Sequence, residues 1–384
     1  MLPYLDDDQS ALRARARAWS EKNLPRDAIE TAEVEQRSKE ILAALGQAGW
    51  LAYLAPKRFG GAREDISFRD VCLLREELAR VSPLADTVFA VQALGSHPIA
   101  TAGNQEQKER YLPALARGDT VAAFALTEPE AGSDVASIQT RAVKRADEYR
   151  LTGVKSFVSN AGIADSYVVF ASTDPEKKAQ GLSAFIVEAK SRGFSVREKT
   201  RLISPHPIGI VALEDCAVPG ANLLGGEGDG MRIALRTLDA LRPTVGAAAV
   251  GLAQRALEEA LGYSRTRRQF GRPLAEFQAT QFKLADMATE LEAARLLVYR
   301  AAWKHDRGEE SKQSAAMAKL YATEAAQRIV DQAVQIHGGA GVVADSTVAR
   351  LYNAVRALRI YEGTSEIQRL VIARTLLEQV KNQK

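Results

Sequence analysis

The chain has 384 residues, 46% of them hydrophobic, enough to bury large cores in two or three domains. Its 51 basic and 48 acidic residues leave a net charge of +3, a balance that makes no case for a nucleic-acid-binding protein. Cys72 and Cys216 form no CxxC pair, and His97, His206, His305 and His337 lack metal-ligand spacing; this argues against a disulfide framework or a metal site and for a reducing cytoplasm.

At the start of the chain, Asp6, Asp7 and Asp8 precede Arg13, Arg15 and Arg17, and that acidity argues against a targeting peptide. The pattern predicts a helix capped by Asp8 or Ser10 with its arginines facing water. Residues 1 to about 120 read as helical, with blocks at 41–45 and 71–78 and punctuation at Pro56, Gly60-Gly61 and Pro83. No stretch approaches the ~18 uninterrupted apolar residues of a membrane span.

Between about 121 and 225 the runs are short and β-rich: 168–171, 184–187 and 210–213, bounded by Gly153, Asp174-Pro175, Gly181 and Pro219-Gly220. Short strands without long intervening helices predict a compact antiparallel β-domain. From about 229 long helices return. Leu284, Met287, Leu291, Ala294, Val298 and Ala301 form one apolar seam, and Ala322, Ala325, Ile329, Ala333 and Ile336 form a small-residue stripe. The reading is therefore α+β, in three segments: 1–120 helical, 121–228 β and 229–384 a helix bundle.

Four strings can carry chemistry. Phe124–Asp134 (FALTEPEAGSD) offers the hydroxyls of Thr127 and Ser133 and bare backbone at Gly132; as an isolated string it is equally a polar loop. Arg267–Pro273 (RRQFGRP), with Gln278 downstream, can hold a phosphate and stack a base, or be a solvated interhelical turn. Gln335–Val342 (QIHGGAGV) is a helix C-cap or a backbone cradle for a pyrophosphate, and it lacks the strand and the GxGxxG of a Rossmann site. Tyr361–Gln368 (YEGTSEIQ) sets Glu362 at a helix N-terminus, with Ser365 and Gln368 at capping-box spacing, so a carboxylate base can share its site with main-chain N–H donors.

Together, in this order and at these separations, the four strings resemble the acyl-CoA dehydrogenase family over essentially the whole chain. The resemblance implies a helical N-terminal domain, a middle β-barrel domain and a C-terminal four-helix bundle. It implies FAD lined by Phe124, Leu126, Thr127, Gly132 and Ser133, with Phe157 and Ser159 on a second strand. Phe157 stands where the family usually has tryptophan, so an aromatic wall is kept and an indole donor lost. Arg267, Gln269, Phe270, Gln278, Gln335, Gly338 and Gly339 would reach the ADP half of FAD, largely across a subunit interface, with Thr364 and Glu366 completing the cofactor site. Ser133, Asp239, Arg242 and Gly363 would contact the substrate. Glu362 matches the catalytic base. The position that carries the base in some branches is Leu241 here, which cannot take a proton.

The implied reaction is α,β-dehydrogenation of an acyl-CoA thioester to the trans-2-enoyl-CoA in carboxylic-acid catabolism. Glu362 takes the α-proton, the β-hydrogen leaves as hydride to flavin, and an electron-transfer flavoprotein receives the electrons. A homotetramer, as a dimer of dimers, is implied too. The alternatives are an acyl-CoA oxidase or another reaction on the same fold, such as a desulfinase-like one, and a non-catalytic nucleic-acid-binding flavoprotein. That last group carries a further C-terminal domain, whereas this chain stops about 20 residues after YEGTSEIQ. Two departures from the family pattern stand out: Asn353-Ala354-Val355-Arg356 lacks the usual aspartate, and CoA contacts cannot be carried onto the loop 201–208. Thr87, Ala90 and Gln92 are expected at the floor of an acyl pocket whose substrate the sequence leaves open.

Overall fold

The computed structural model describes residues 4–25 and 31–381. They divide into two compact units: a helical unit of residues 4–25, Phe68–Asp86 and 239–381, and a sheet unit of residues 31–67 and Thr87–Leu238. The first of the three sequence segments is thus shared between the two units.

In the helical unit, α1 (Asp7–Asn23) begins at a capping box made by Asp6 and Gln9. The cap is therefore Asp6, not Asp8 or Ser10: its Oδ1 accepts from Gln9 N at 3.0 Å. The arginines also depart from expectation. Arg15 is exposed, but Arg13 donates to Glu76 and Glu77, and Arg17 to Glu77. The reason lies in α3 (Phe68–Val81), where Glu76 and Glu77 are fully buried and need cations to offset their desolvation. Arg295 and Tyr299, from α7 (Gln278–Asp306), complete the Glu76 site at 3.1 and 2.6 Å. Asp306, at the end of α7, accepts the first free N–H groups of α3, from Phe68 at 2.6 Å and Arg69 at 3.3 Å.

The predicted seam of α7 is buried from Met287 to Ala301, and all five stripe residues of α8 (Lys312–His337) are buried. α9 (Thr347–Leu358) and α10 (Ser365–Lys381) pack on α8. Of two further long helices, α4 (Pro83–Ala102) gives its first turn to this unit, and α6 (Gly230–Thr266) all but its beginning.

The sheet unit holds α2 (Val34–Gln47), α5 (Gln105–Arg117) and eight strands: β1 (Ala122–Ala125), β2 (Arg141–Arg145), β3 (Glu148–Ser159), β4 (Ser166–Ser172), β5 (Leu182–Glu188), β6 (Phe194–Lys199), β7 (Ile208–Pro219) and β8 (Leu223–Leu224). The hydrogen-bonded path is β6-β7-β3-β2-β4-β5-β8. Most pairs are antiparallel as expected, but β1 lies parallel to β4, in register from Ala122–Ser166 to Ala125–Val169, and a β2–β4 bridge is parallel as well. Every residue of β4 is buried, which explains the continuous apolar run at its centre, Tyr167–Ala171.

Gln92, expected in a pocket floor, instead braces this core. Its amide donates to the carbonyls of Leu115 at 3.1 Å and Thr120 at 2.9 Å and accepts from Ala122 N at 2.9 Å. With its hydrogen-bonding capacity spent on the backbone and no exposure, it joins α4 to the start of β1.

Candidate functional site

The sheet unit places the TEPEAGSD string directly after β1. Glu128 and Ala131 exchange backbone hydrogen bonds at 3.0 and 3.2 Å and turn the chain, leaving Gly132 and Ser133 exposed. A buried ion pair holds this turn: Lys155 Nζ donates to Glu128 Oε1 at 2.7 Å and to the Leu126 carbonyl at 3.1 Å. Burial pushes the Glu128 carboxyl up, but Lys155 and the donors of Gln139 and Thr140 outweigh it and hold the group below the usual range. The same burial lowers Lys155 to about 8.

A register shift between Lys155 and Val158 takes Phe157 out of the β3–β7 ladder, with φ +52° and its ring 63% exposed. Ser159, two residues on, lies 3.1 Å from His206 Nε2, and burial lowers His206 to about 4. Phe124 is half-buried with its ring against Phe170, and Leu126 is buried.

The helical unit places the other strings. RRQFGRP lies in the exposed connection from α6 to α7 and folds there as a two-residue hairpin between β9 (Arg268–Gln269) and β10 (Arg272–Pro273). Phe270 and Gly271 form its tip at φ +51° and +81°, and Phe270 is 93% exposed. Arg267, Gln269 and Gln278 are exposed, as are Gln335, Gly338 and Gly339 at the end of α8. A Cβ on Gly338 or Gly339 would meet nothing, so bare backbone is open to a ligand there.

Glu362 lies between α9 and α10 in a left-handed pair, at φ +54°, with Gly363 at +91°. Non-glycine residues rarely adopt this conformation, and several bonds hold it. Gln368 Nε2 and Lys319 Nζ both donate to the Gly363 carbonyl, at 2.9 and 2.7 Å. The expected capping box does not form. Thr364 Oγ1 accepts from Ile367 N at 3.3 Å, while the Ser365 hydroxyl donates to Glu324 at 2.6 Å and leaves Gln368 to brace the turn. Glu366 is exposed at the first turn of α10.

Glu362 Oε2 is closed to solvent and has no hydrogen-bond partner among the described residues. Burial raises its pKa to about 7, against the pull of Arg75, Lys319 and Arg242 and with a push from Asp86. Arg242 is buried and paired with Asp239, so two residues expected on the CoA part of a substrate bind each other; burial also raises the Asp239 carboxyl. Leu241 is buried, consistent with its exclusion as a base.

Arg75 and Lys319 escaped the motif-based reading. Both are charges embedded in apolar helical blocks, VCLLREEL and the alanine stripe of α8, and that mismatch is the signal that could have found them.

Comparison with known proteins bears on this arrangement. Models of the acyl-CoA dehydrogenase N-terminal, middle and C-terminal domains match residues 6–119, 123–216 and 228–377. An acyl-CoA dehydrogenase of Bacillus subtilis strain 168 is 41% identical over 97% of this chain and 99% of its own length. The chain belongs to the acyl-CoA dehydrogenase family. The fold agrees: butyryl-CoA dehydrogenase from Megasphaera elsdenii superposes with a TM-score of 0.90 at 38% identity, covering 97% of this chain and 99% of that one. The caffeyl-CoA reductase–Etf complex subunit CarC of Acetobacterium woodii is 40% identical over 98% of this chain and all of its own length.

The residues present fit the flavin of an acyl-CoA dehydrogenase. The sheet unit offers an exposed aromatic at Phe157 and the hydroxyls of Thr127, Ser133 and Ser159. The helical unit offers Arg267, an exposed Phe270 and the open backbone of Gly338-Gly339, donors and surfaces suited to a pyrophosphate and a purine.

Proposed function

We propose that this protein catalyses FAD-dependent α,β-dehydrogenation of an acyl-CoA thioester to the trans-2-enoyl-CoA, with Glu362 as the base. The observation that carries this reading is the Glu362 carboxylate, whose Oε2 is buried and unpartnered among the described residues and whose pKa lies at about 7. A base poised near the working pH balances ionised fraction against proton affinity.

Phe124, Leu126, Thr127, Gly132, Ser133, Phe157 and Ser159 would line the flavin. Arg267, Gln269, Phe270, Gln278, Gln335, Gly338 and Gly339 would hold its ADP half, and Thr364 and Glu366 would complete the site. FAD, once bound, supplies the acceptor for the hydride that leaves the β-carbon. Glu362 takes the α-proton. Its backbone N–H, which donates to no acceptor among the described residues, is available to the thioester carbonyl as negative charge develops there, a contact worth about 3 kcal/mol. Ser133, Asp239, Arg242 and Gly363 are the proposed substrate contacts, and Arg242 would exchange part of its Asp239 pairing for the ligand. The electron partner is an electron-transfer flavoprotein, and the assembly a homotetramer.

Glu362→Gln should keep FAD and lose flavin bleaching when an acyl-CoA is added; full bleaching by that variant overturns the assignment. Hydrogen peroxide release without an added acceptor would mark an oxidase instead. A second reading is favoured by the relative named as a reductase: the same site run in reverse, with protonated Glu362 delivering its proton to an enoyl-CoA. Comparing both directions against one electron-transfer flavoprotein separates the two.

A further inference from the structure

The Glu362 turn is held by an unusual partner. Lys319, on α8, has no exposure and sits in a stripe containing Ala315, Ala316, Ala318 and Ala322. Among the described residues it forms no ion pair, and its ammonium donates to one acceptor, the Gly363 carbonyl at 2.7 Å. Burying an ammonium with no ion-pair partner is costly, and an apolar side chain of similar length would avoid that cost. A hydrogen bond to one carbonyl does not explain the residue, because Gln368 Nε2 already reaches the same oxygen at 2.9 Å. What Lys319 adds is a charge that acts on the Glu362 carboxylate, whose Oε2 has no hydrogen-bond partner among the described residues.

We propose that Lys319 is a positioning residue for the base. Its ammonium clamps the Gly363 carbonyl, fixing the left-handed Glu362-Gly363 backbone, and its charge keeps the neighbouring carboxylate ionised. This inference rests on the reading of Glu362 as the base.

The charged groups around Glu362 come from five helices and its own loop: Arg75 on α3 with Asp86 on α4, Arg242 and Asp239 on α6, Lys319 and Glu324 on α8, Glu366 on α10, and Tyr361 beside it. Arg75 and Arg242 each have an aspartate partner that dilutes their field. Lys319 has no ion-pair partner among the described residues, and Glu362 acts on it ahead of Glu324 and Glu366. Burial lowers Lys319 itself to about 8, and Glu362 supports its charged form in return.

The test is the pH dependence of single-turnover flavin reduction by a saturating acyl-CoA, with FAD content and melting temperature as controls. Lys319→Gln keeps a donor for Gly363 and removes the charge; Lys319→Met removes both; Lys319→Arg keeps both. In the Gln and Met variants the acidic limb should move up by at least about one pH unit. The rate at pH 7 should fall about fivefold, the loss of ionised fraction that a one-unit shift produces, with KM little changed. The Arg variant should follow the wild type. An unmoved limb in a folded, FAD-bearing Gln or Met variant overturns the proposal; so does failure of both to fold, which would make Lys319 a residue of the fold alone. Glu362→Gln run alongside separates the two ideas. If it still bleaches flavin, the assignment of the base falls; if it does not and the limb is unmoved, only the role of Lys319 falls.

Discussion

Arg75 grips Asp86 through two parallel hydrogen bonds, Nε to Oδ1 at 2.7 Å and Nη2 to Oδ2 at 2.9 Å. The pair is buried, and the remaining guanidinium arm donates to Thr244 Oγ1 at 2.9 Å. Arg75 is the strongest of the cations that restrain the Glu362 pKa, while Asp86 pushes it up. The two partners should therefore have opposite effects on the base. Asp86→Asn is expected to move the acidic limb of flavin reduction to lower pH, and Arg75→Gln to move it higher. Arg75→Gln also strands a buried aspartate, a loss of about 3–5 kcal/mol in urea unfolding. A shift of the same sign in both variants would show that the pair acts on packing and not on charge.

Stability should carry a Glu362 signature. Its folded pKa, about 7, lies above the model-peptide value of 4.5. The folded state thus holds the proton more tightly than the unfolded state, and this favours folding fully below pH 4.5. That contribution is lost as pH rises through about 7. Glu362→Gln cannot titrate, so its melting temperature should exceed that of the wild type at pH 8, with the difference shrinking toward pH 4.5. Parallel curves across that range would contradict the raised pKa.

The Glu128–Lys155 pair should behave as a unit. Glu128→Ala strands a fully buried ammonium and should cost about 3–5 kcal/mol in chemical denaturation. Pairing it with Lys155→Met should recover much of that stability, because the desolvated charge is gone. FAD retention should remain impaired in the double variant, since Lys155 also ties down the Leu126 carbonyl beneath the TEPEAGSD turn. Additive losses in the two single variants and the double one would count against this coupling.

Two glycines of α6 should respond in opposite directions to alanine. A Cβ at Gly251 would lie 2.2 Å from the Glu76 carbonyl oxygen of α3, so Gly251→Ala should lose roughly 3 kcal/mol as the helices are forced apart. A Cβ at Gly262 would meet nothing, so Gly262→Ala should gain about 0.5–1 kcal/mol from helix propensity. Thermal melts of the two variants check both signs.

Much of the fold is legible because helices and strands announce themselves locally. The stripe of α8 reflects burial that repeats with the helical period, and the continuous apolar centre of β4 reflects burial on both faces, so a short window of sequence reveals each. Caps and turns were less legible. Asp6, Asp8 and Ser10 are all competent caps, and the hydrogen bond to Gln9 selects one. In RRQFGRP the connection between α6 and α7 is a hairpin with Phe270 at a positive φ, a backbone state that the phenylalanine does not advertise. The family resemblance sets Gln92 at a pocket floor, and a polar side chain gives no sign of whether backbone groups already saturate it.

The sequence by itself determined the order of helices and strands, the family, and the one carboxylate placed beside glycine in YEGTSEIQ. Tertiary structure decided what that carboxylate can do. Its proton affinity is a balance between burial and charges contributed from positions 75, 86, 242 and 319, set on four different helices. Periodicity and motif spacing report on neighbours along the chain, whereas desolvation and Coulomb interactions depend on distance through space. Only folding brings Lys319 to the Gly363 carbonyl and leaves Glu362 Oε2 buried without a partner among the described residues.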